Sequence, residues 1–361
     1  MIGAVTDFAH PEELEQLRAE ALRFAAAELA PAARASERAG AWPDQARAVL
    51  EQFGLRELDL PESLGGLGPG ARAKVVLLEA LASGDAGGLA AADPLGLSLG
   101  ALLACPDRAR ARELASACLA GAARAALLVL DPDGPRPGRV PWAPSPPAPR
   151  FAWESAGSEL RLLELAAPPE PVRALAFQAS GGVSVPLAGA RLLGEWRLTT
   201  QESVALRGRA RLWAAAVALG VAQAAFDATV AYARERIVFG KAVAHHQGNA
   251  FELAVAATNL HGARLLVQDA ASCYDCGAAD AGFWATQAWL GAMDAAVPVT
   301  DLGIQLLGGH GFLVDHLAEK RFREVRMLAL LAGGRDAAEA DAAELVLDVP
   351  DPLFPSGEAA P

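Results

Sequence analysis

The chain has 361 residues, of which 53% are hydrophobic and 20% are charged, and its formal net charge is −12. This length and apolar fraction exclude a disordered or fibrous chain and predict two or three packed regions. The acidic balance argues against a nucleic-acid partner, because phosphate binding requires clustered Lys and Arg.

The first 128 residues are predicted to form a helical domain. Apolar residues recur at helical spacing from 11 to 30, where Pro11 suits the first turn and Pro31 ends or kinks the helix. A second helix is expected around 46 to 53, followed by a Pro- and Gly-rich loop at 58 to 68. Three further helices are predicted, at Ala71 to Leu81, Leu95 to Ala104 and Arg108 to Leu119.

Residues 129–207 are predicted to form a small β domain. Eight prolines between 131 and 149 exclude a helix there. Short strand-like pieces follow, at Leu160 to Leu165, Ala174 to Phe177, Val183 to Val185 and Glu195 to Thr199.

Residues 208–346 are predicted to form a four-helix bundle, and 347–361 a tail with little structure. The helices are expected at 208 to 235, 247 to 276, 280 to 308 and 316 to 331. Helices, then a small β unit, then a bundle is an α+β order that is mainly α.

The sequence contains neither the pattern of a membrane span nor that of an export signal. No apolar run reaches the roughly 18 residues of a membrane span, and no basic stretch precedes an apolar one at the start. We therefore expect a cytoplasmic protein with no membrane partner.

The four cysteines are too few and too unevenly placed for a disulfide framework, so we expect them to be reduced. Cys273 and Cys276 form a single Cys-x-x-Cys without further ligands, which favours a structural role and no metal site.

Three spaced motifs resemble the signature of the acyl-CoA dehydrogenase family: YARERIVFG at 232–240, HHQG at 245–248 and QLLGGHG at 305–311. LDLPESLGGLG at 58–68 and FREVRMLALLAGG at 322–334 extend the resemblance over nearly the whole chain. It implies an oxidoreductase of lipid metabolism, a flavoprotein that desaturates an acyl-CoA thioester. It also implies an oligomer in which FAD lies between the three domains at a subunit interface.

The resemblance assigns a set of cofactor-binding residues. Arg236 would contact the flavin's adenine-side phosphates in a neighbouring subunit, which suits a guanidinium because its fork pairs phosphate oxygens. A surface ion pair is the alternative for Arg236, and a helix-ending turn is the alternative for the glycines. The full set is Arg236, Phe239, Gln247, Gln305, Gly308 and Gly309.

Arg211 falls where the family often carries an arginine near the substrate. The alternative is a solvated charge in the basic run of Arg207, Arg209 and Arg211. The histidines of the motifs are interpreted as packing or surface residues, because no carboxylate or cysteine lies at metal spacing from them.

The chain departs from the family at the catalytic base. Ala332 stands where most members carry the glutamate that removes the α-proton, and Ala210 stands where others place it. Losing a general base typically costs about 10² to 10⁴ in rate. The nearest carboxylates in sequence are Glu202, Asp336 and Glu339.

The chain also departs at the flavin ring. Leu130 takes the place of a threonine and offers the ring no hydrogen bond. Of the family's Trp-Ile-Thr segment, only Trp153, Glu154 and Ser155 stand as a possible remnant.

Three hypotheses follow. The first is the non-catalytic subunit of a heteromeric acyl-CoA dehydrogenase, sharing FAD with another acyl-CoA dehydrogenase-like chain. The second is an active homo-oligomeric enzyme with a displaced base. The third is a binding or scaffold protein on the same fold, since fold does not imply function.

Overall fold

A computed structural model describes residues 12–44, 46, 51–68, 70–133, 138–145 and 147–346. Pro11, part of the predicted helix at 46 to 53 and the predicted tail at 347–361 lie outside these residues. Within them the chain forms helices, then two small sheets, then a helical bundle. The predicted α+β, mainly helical class is confirmed.

The N-terminal domain is helical, as expected, but its first helix does not end at Pro31. Helix α1 (Glu12–Phe24) passes through a π-helical segment (Ala25–Leu29) into α2 (Ala30–Ala39), where Pro31 lies in the first turn and needs no N–H. The elements that follow are a 3₁₀ turn (Glu62–Leu64), α3 (Ala71–Asp85), α4 (Leu89–Ala92), a 3₁₀ turn (Gly96–Ser98), α5 (Leu99–Ala104) and α6 (Arg108–Leu119).

The β unit contains two sheets. The first has the order β1 (Ala125–Leu130), β3 (Phe151–Ala156), β4 (Glu159–Glu164) and β7 (Arg191–Arg197), with β1 parallel to β3 and the other pairs antiparallel. The second has the antiparallel order β2 (Arg139–Ala143), β6 (Val183–Pro186) and β5 (Glu170–Pro171). Strand β1 therefore lies at one edge of the first sheet, next to β3.

Two expectations for this unit are wrong. Residues 174 to 177 form no strand, and the last strand ends at Arg197 because Thr199 caps the next helix. Strands β1 and β3 were not predicted, and the expected boundary after 128 falls inside β1.

The bundle begins with a helix of 36 residues, α7 (Thr200–Glu235), which starts earlier than the predicted 208. Its start is fixed by a capping box, in which Thr199 Oγ1 accepts from the backbone N–H of Glu202 and the Glu202 carboxylate accepts from the N–H of Thr199. The remaining elements are the hairpin β8 (Ile237–Val238) and β9 (Lys241–Ala242), a 3₁₀ turn (Val243–His245), α8 (Gln247–Asp275), α9 (Ala281–Leu307), a 3₁₀ turn (Gly308–Phe312), α10 (Ala318–Leu328), a 3₁₀ turn (Leu331–Gly333) and α11 (Gly334–Val346).

Helix α7 lies at the centre of the molecule and is buried without interruption from Ala210 to Ala222. Close contact with α3 depends on Gly220, since a Cβ there would lie 2.2 Å from the backbone oxygen of Glu79. Helices Thr200–Glu235 and Ala281–Phe312 are long and apolar enough to cross a membrane, but 61% and 50% of their apolar windows are buried against protein. Such burial is typical of core helices.

A buried ionic cluster connects the N-terminal domain to the bundle. Asp85 at the end of α3 accepts from Trp42 Nε1 (2.6 Å) and from Lys320 Nζ of α10 (2.6 Å). Lys320 also pairs with Glu324, which is 1% exposed. Burial raises the pKa of Glu324 to about 7, although Lys320 opposes the shift.

Candidate functional site

An open groove of about 750 Å³ lies between the β unit and α10. Strand β1 lines one side with aliphatic side chains, and α10 with the turn after it lines the other. The lining residues are Leu127, Leu128, Val129, Leu130, Arg139, Trp142, Ala174, Leu175, Ala176, Phe322, Arg323, Arg326, Met327, Leu330, Leu331, Ala332 and Gly333. The groove is thus mostly apolar, with arginines among its walls.

A smaller cavity of about 60 Å³, which we call the inner cavity, adjoins the groove. The two share Leu127, Trp142, Leu331 and Ala332 as walls. The other walls of the inner cavity are Pro94, Leu97, Ser98, Arg124, Ala125, Ala126, Ala143, Pro144 and Ala210. All three parts of the chain therefore meet around it.

Both expected positions of the base, Ala210 and Ala332, line this inner cavity. Ala332 has φ 52° and ψ 35°, so the chain makes a left-handed turn there between two 3₁₀ residues. Each position presents a methyl group, and no acidic residue is among the described walls of the cavity. The described walls of the inner cavity therefore supply no carboxylate.

The three nearest carboxylates in sequence have other roles or positions. Glu202 belongs to the capping box of α7, and the hydrogen bonds from Thr199 lower its pKa. Glu339 pairs with Arg335 at 3.0 Å, and Asp336 is exposed in the first turn of α11. None of the three lines the groove or the inner cavity.

Arg211 lies behind Ala332 in a buried network. Its Nη1 is 2.6 Å from Asp341 Oδ2 and 3.1 Å from Thr286 Oγ1, and its Nη2 lies 3.4 Å from the backbone oxygen of Ala332. Arg207, one turn earlier on α7, donates to the same carboxylate at 2.8 and 2.5 Å. Two guanidiniums thus share one carboxylate, which leaves a surplus positive charge beside the site.

The alternative interpretation of Arg211 as a solvated charge is wrong, because its side chain is 0% exposed. Burial lowers the pKa of Arg211, while Asp341 opposes the shift. A contact between Arg211 and substrate stays a prediction.

Arg124 is a second buried cation at the site, and the sequence reading missed it. It lies directly before β1 and is 4% exposed. Its Nη1 and Nη2 donate to the backbone oxygens of Ala90 (2.5 Å) and Ala91 (2.7 Å), while its buried Nε has no hydrogen-bond partner. Burial lowers its pKa to about 10.

The predicted cofactor-binding residues lie together at one end of the bundle, where α7 ends, α8 begins and α9 ends. The rings of Tyr232 on α7 and His310 after α9 lie 6.4 Å apart, and the N–H of Val243 donates to the oxygen of Arg236 at 2.8 Å. We call this the bundle-end surface. It carries Arg236, Phe239, Gln247, Gln305, Gly308 and Gly309, all of them exposed.

Large apolar side chains on neighbouring positions are also exposed at this end. Phe239 is 95% exposed and has a left-handed φ of 51°, a conformation that costs a non-glycine residue free energy. The others are Ile237, Phe251, Phe312, Leu313 and Val314, with exposures of 49% to 72%. Several large apolar side chains exposed at one end of a bundle are typical of an interaction site.

The residues expected near the flavin ring are dispersed. Leu130 lines the groove, as its place in β1 requires. Trp153, Glu154 and Ser155 instead lie in β3, at 1%, 4% and 1% exposure, because both faces of this central strand pack against apolar clusters, as neighbouring Trp153 and Ala152 show. Their interpretation as a remnant flavin contact is therefore not supported by their position.

The histidines and cysteines of the motifs form no cluster. His246 Nε2 lies 3.0 Å from the backbone oxygen of Val238, and His310 packs against His316 with ring centroids 5.5 Å apart. All four cysteines are free. In the described ranges, no group of three or more His, Cys, Asp or Glu side chains could hold a metal ion.

A helical domain, a small β unit and a helical bundle meet around the mostly apolar groove and define a three-part fold. Residues 11–117 match the family model for the acyl-CoA dehydrogenase N-terminal domain, and residues 205–346 match the one for the acyl-CoA dehydrogenase C-terminal domain. The chain belongs to the acyl-CoA dehydrogenase family. The β unit falls between the two matches.

Curated relatives agree with this assignment. The probable acyl-CoA dehydrogenase fadE25 of Mycobacterium leprae is 25% identical over 363 residues, covering 90% of this chain and 93% of the relative. The 3-(aryl)acrylate reductase of Clostridium sporogenes is 39% identical over 123 residues, which is 34% of this chain and only 32% of that protein.

Solved structures share the fold. Butyryl-CoA dehydrogenase from Megasphaera elsdenii superposes with a TM-score of 0.77 at 20% identity, covering 95% of this chain and all (100%) of that one. The Tcur3481-Tcur3483 steroid ACAD G363A variant superposes with a TM-score of 0.75 at 25% identity, covering 93% of this chain and 98% of that one.

Proposed function

We propose that this chain is the non-catalytic subunit of a heteromeric, FAD-dependent acyl-CoA dehydrogenase that desaturates an acyl-CoA thioester. The observation that carries the proposal is the inner cavity, where both expected places for the α-proton base, Ala210 and Ala332, are walls of the same space. Alanine cannot accept a proton, so a partner chain would supply the carboxylate.

The residues of this chain suit the adenosine half of FAD better than its flavin ring. Bound FAD would supply the acceptor for the hydride that leaves the substrate's β-carbon. On the ring side, β1 offers only the aliphatic side chains of Leu127, Leu128, Val129 and Leu130. A ring site of this chain's own therefore lacks side-chain hydrogen-bond donors from this strand.

The bundle-end surface fits the adenosine half. The exposed guanidinium of Arg236 would pair phosphate oxygens, and the exposed amides of Gln247 and Gln305 would bind polar edges of the adenosine. Nothing lies within 4 Å of the position of an added Cβ at Gly308 or Gly309, so a pyrophosphate could approach that backbone closely. Phe239 would pack against the partner chain.

The test is co-expression with a full-length homologous chain that carries glutamate at the position matching Ala332. We expect a stable complex that holds fewer flavins than chains and oxidises an acyl-CoA. Arg236→Ala in this chain should lower the flavin content of the complex, whereas Arg234→Ala should not, although both arginines are exposed and lie two residues apart. Visible flavin absorbance per chain measures the difference.

The other outcomes identify the competing functions. If the purified chain alone holds flavin and an acyl-CoA bleaches it, the chain is an active homo-oligomeric enzyme with a displaced base. If it holds no flavin and associates with no homologous chain, it is a binding or scaffold protein. Either result overturns the subunit proposal.

A further inference from the structure

A wall of the inner cavity carries a buried hydrogen-bond donor that the described protein atoms leave unsatisfied. Arg124 Nε is buried without a hydrogen-bond partner, and Arg124 is a cavity wall. Ser98, another wall at 2% exposure, donates only a long hydrogen bond of 3.3 Å to the backbone oxygen of Leu95. Buried donors are normally satisfied, so the cavity lacks an acceptor.

The charge of Arg124 is also unbalanced. Asp93 is the acidic group that acts most strongly on it, but Asp93 Oδ2 already lies 3.0 Å from Lys74 Nζ and accepts from Trp213 Nε1 at 3.1 Å. Lys74 is itself buried, at 5% exposure, so it neutralises Asp93. A buried guanidinium whose partners are only carbonyls is unfavourable unless an anion joins it.

A second surplus charge lies behind one wall of the cavity. Arg207 and Arg211 share Asp341, and Arg211 lies behind Ala332, a wall of the cavity. None of the described walls is acidic. The local field therefore favours a negatively charged occupant.

We propose that the inner cavity binds the carboxylate of a small organic acid, with Arg124 as the residue that recognises it. The acid's oxygens would accept from Arg124 Nε, and the Ser98 hydroxyl would supply a further donor. Its apolar body would lie against Leu127 and Leu331, which are walls of both the cavity and the groove. This site is separate from the bundle-end surface, and it does not depend on the proposed subunit role.

The size of the cavity limits the ligand. A volume of 60 Å³ is several times the roughly 10–15 Å³ that one water molecule needs, so a carboxylate with a few carbons fits. A longer chain would have to extend through the shared walls into the groove. We therefore choose butyrate as the probe and butyramide as its neutral counterpart.

The test measures the thermal denaturation of the full chain at constant pH and ionic strength while butyrate is added. We expect a saturable rise in the transition temperature with butyrate and none with butyramide. Arg124→Met should weaken the apparent affinity at least about tenfold. Arg56→Met should leave the response intact, because Arg56 donates to the backbone oxygen of the nearby Ala92 but is no wall of the cavity.

A further variant keeps the test decisive if Arg124→Met fails to fold. Ala210→Val adds two methyl groups to the cavity while leaving Arg124 unchanged, so it should abolish the butyrate response with the fold retained by circular dichroism. The proposal is overturned if wild type shows no butyrate response, if butyramide gives the same response, or if Ala210→Val still responds. In each of those cases Arg124 serves only to cap the carbonyls of Ala90 and Ala91.

Discussion

Ala210 on α7 and Ala332 in the turn after α10 are walls of the same inner cavity. The sequence comparison found each of them separately, as two alternative places for one carboxylate. The fold brings these two positions, far apart in the chain, to one space. Neither is a carboxylate, and no acidic residue is among the described walls of the cavity.

Phe239 tests whether the bundle-end surface is an interface. Its left-handed φ and its 95% exposure mean that the folded chain gains little from the side chain. We expect Phe239→Gly to leave the free energy of unfolding equal or higher by up to about 1 kcal/mol, because glycine adopts this φ without strain. The same variant should weaken association with a partner at least about tenfold, since exposed aromatics dominate interfaces.

Urea denaturation and size-exclusion chromatography measure the two effects. Leu67→Ala is the control, because Leu67 is 63% exposed on the N-terminal domain. If Phe239→Gly lowers the stability of the isolated chain and leaves association unchanged, the interface assignment is wrong.

Asp341 tests the buried network behind Ala332. Its carboxylate is shared by Arg207 and Arg211, at 2.5 and 2.6 Å. We expect Asp341→Asn to cost about 3 kcal/mol or more, because it leaves two buried guanidiniums without a counter-charge. Arg211→Met should cost less, since Arg207 keeps its partner and the surplus charge is removed.

Chemical denaturation of the two variants gives the comparison, with the exposed Asp336→Asn as the control, for which we expect less than about 1 kcal/mol. If Arg211→Met is as unstable as Asp341→Asn, the two arginines leave no unfavourable surplus charge in this network.

Gly220 and Gly262 form a matched pair of helix glycines. A Cβ at Gly220 would lie 2.2 Å from Glu79 O, whereas nothing lies within 4 Å of one at Gly262. We expect Gly220→Ala to destabilise by about 1–3 kcal/mol through overpacking. Gly262→Ala should stabilise by about 0.5–1 kcal/mol, because alanine favours the helix.

Thermal and urea denaturation of both variants measure the changes. A Gly220→Ala chain as stable as wild type would mean that α3 and α7 can separate at no cost.

The raised pKa of Glu324 determines the direction in which the free energy of unfolding changes with pH. Burial beside Asp85 raises its pKa from the ordinary 4.5 to about 7 in the folded chain, despite Lys320. Between these values the unfolded chain has released the proton and the folded chain still holds it, so rising pH favours unfolding. The stability of wild type relative to Glu324→Gln should therefore fall by on the order of 2 kcal/mol from about pH 5 to about pH 8.

Urea denaturation over that pH range measures the difference. Glu202→Gln is the control: because hydrogen bonds from Thr199 lower the pKa of Glu202, the stability of wild type relative to Glu202→Gln should stay constant from about pH 5 to about pH 8. The contribution of Glu202 is present at neutral pH and is lost as the pH falls below the ordinary carboxyl range. If the free energy of unfolding of wild type relative to Glu324→Gln rises with pH, the raised pKa of this buried carboxyl is contradicted.

Local sequence signals were sufficient for the long helices. Helices α6, α8 and α9 follow their apolar periodicity to within about two residues. The sequence by itself also determined the family and the absence of a carboxylate at positions 210 and 332. These features depend on residue identity and spacing, which need no knowledge of the packing.

Only the tertiary structure decided the rest. Strand β1 reads AALLVL, a continuous apolar run that cannot be distinguished from a helix until its parallel pairing with β3 is known. The partners of Arg124, Arg211 and Asp341 lie far apart in the chain, so no local pattern could show that one carboxylate serves two arginines or that Arg124 has none. Charge balance in a buried site is a property of neighbours in space, and the fold alone determines those neighbours.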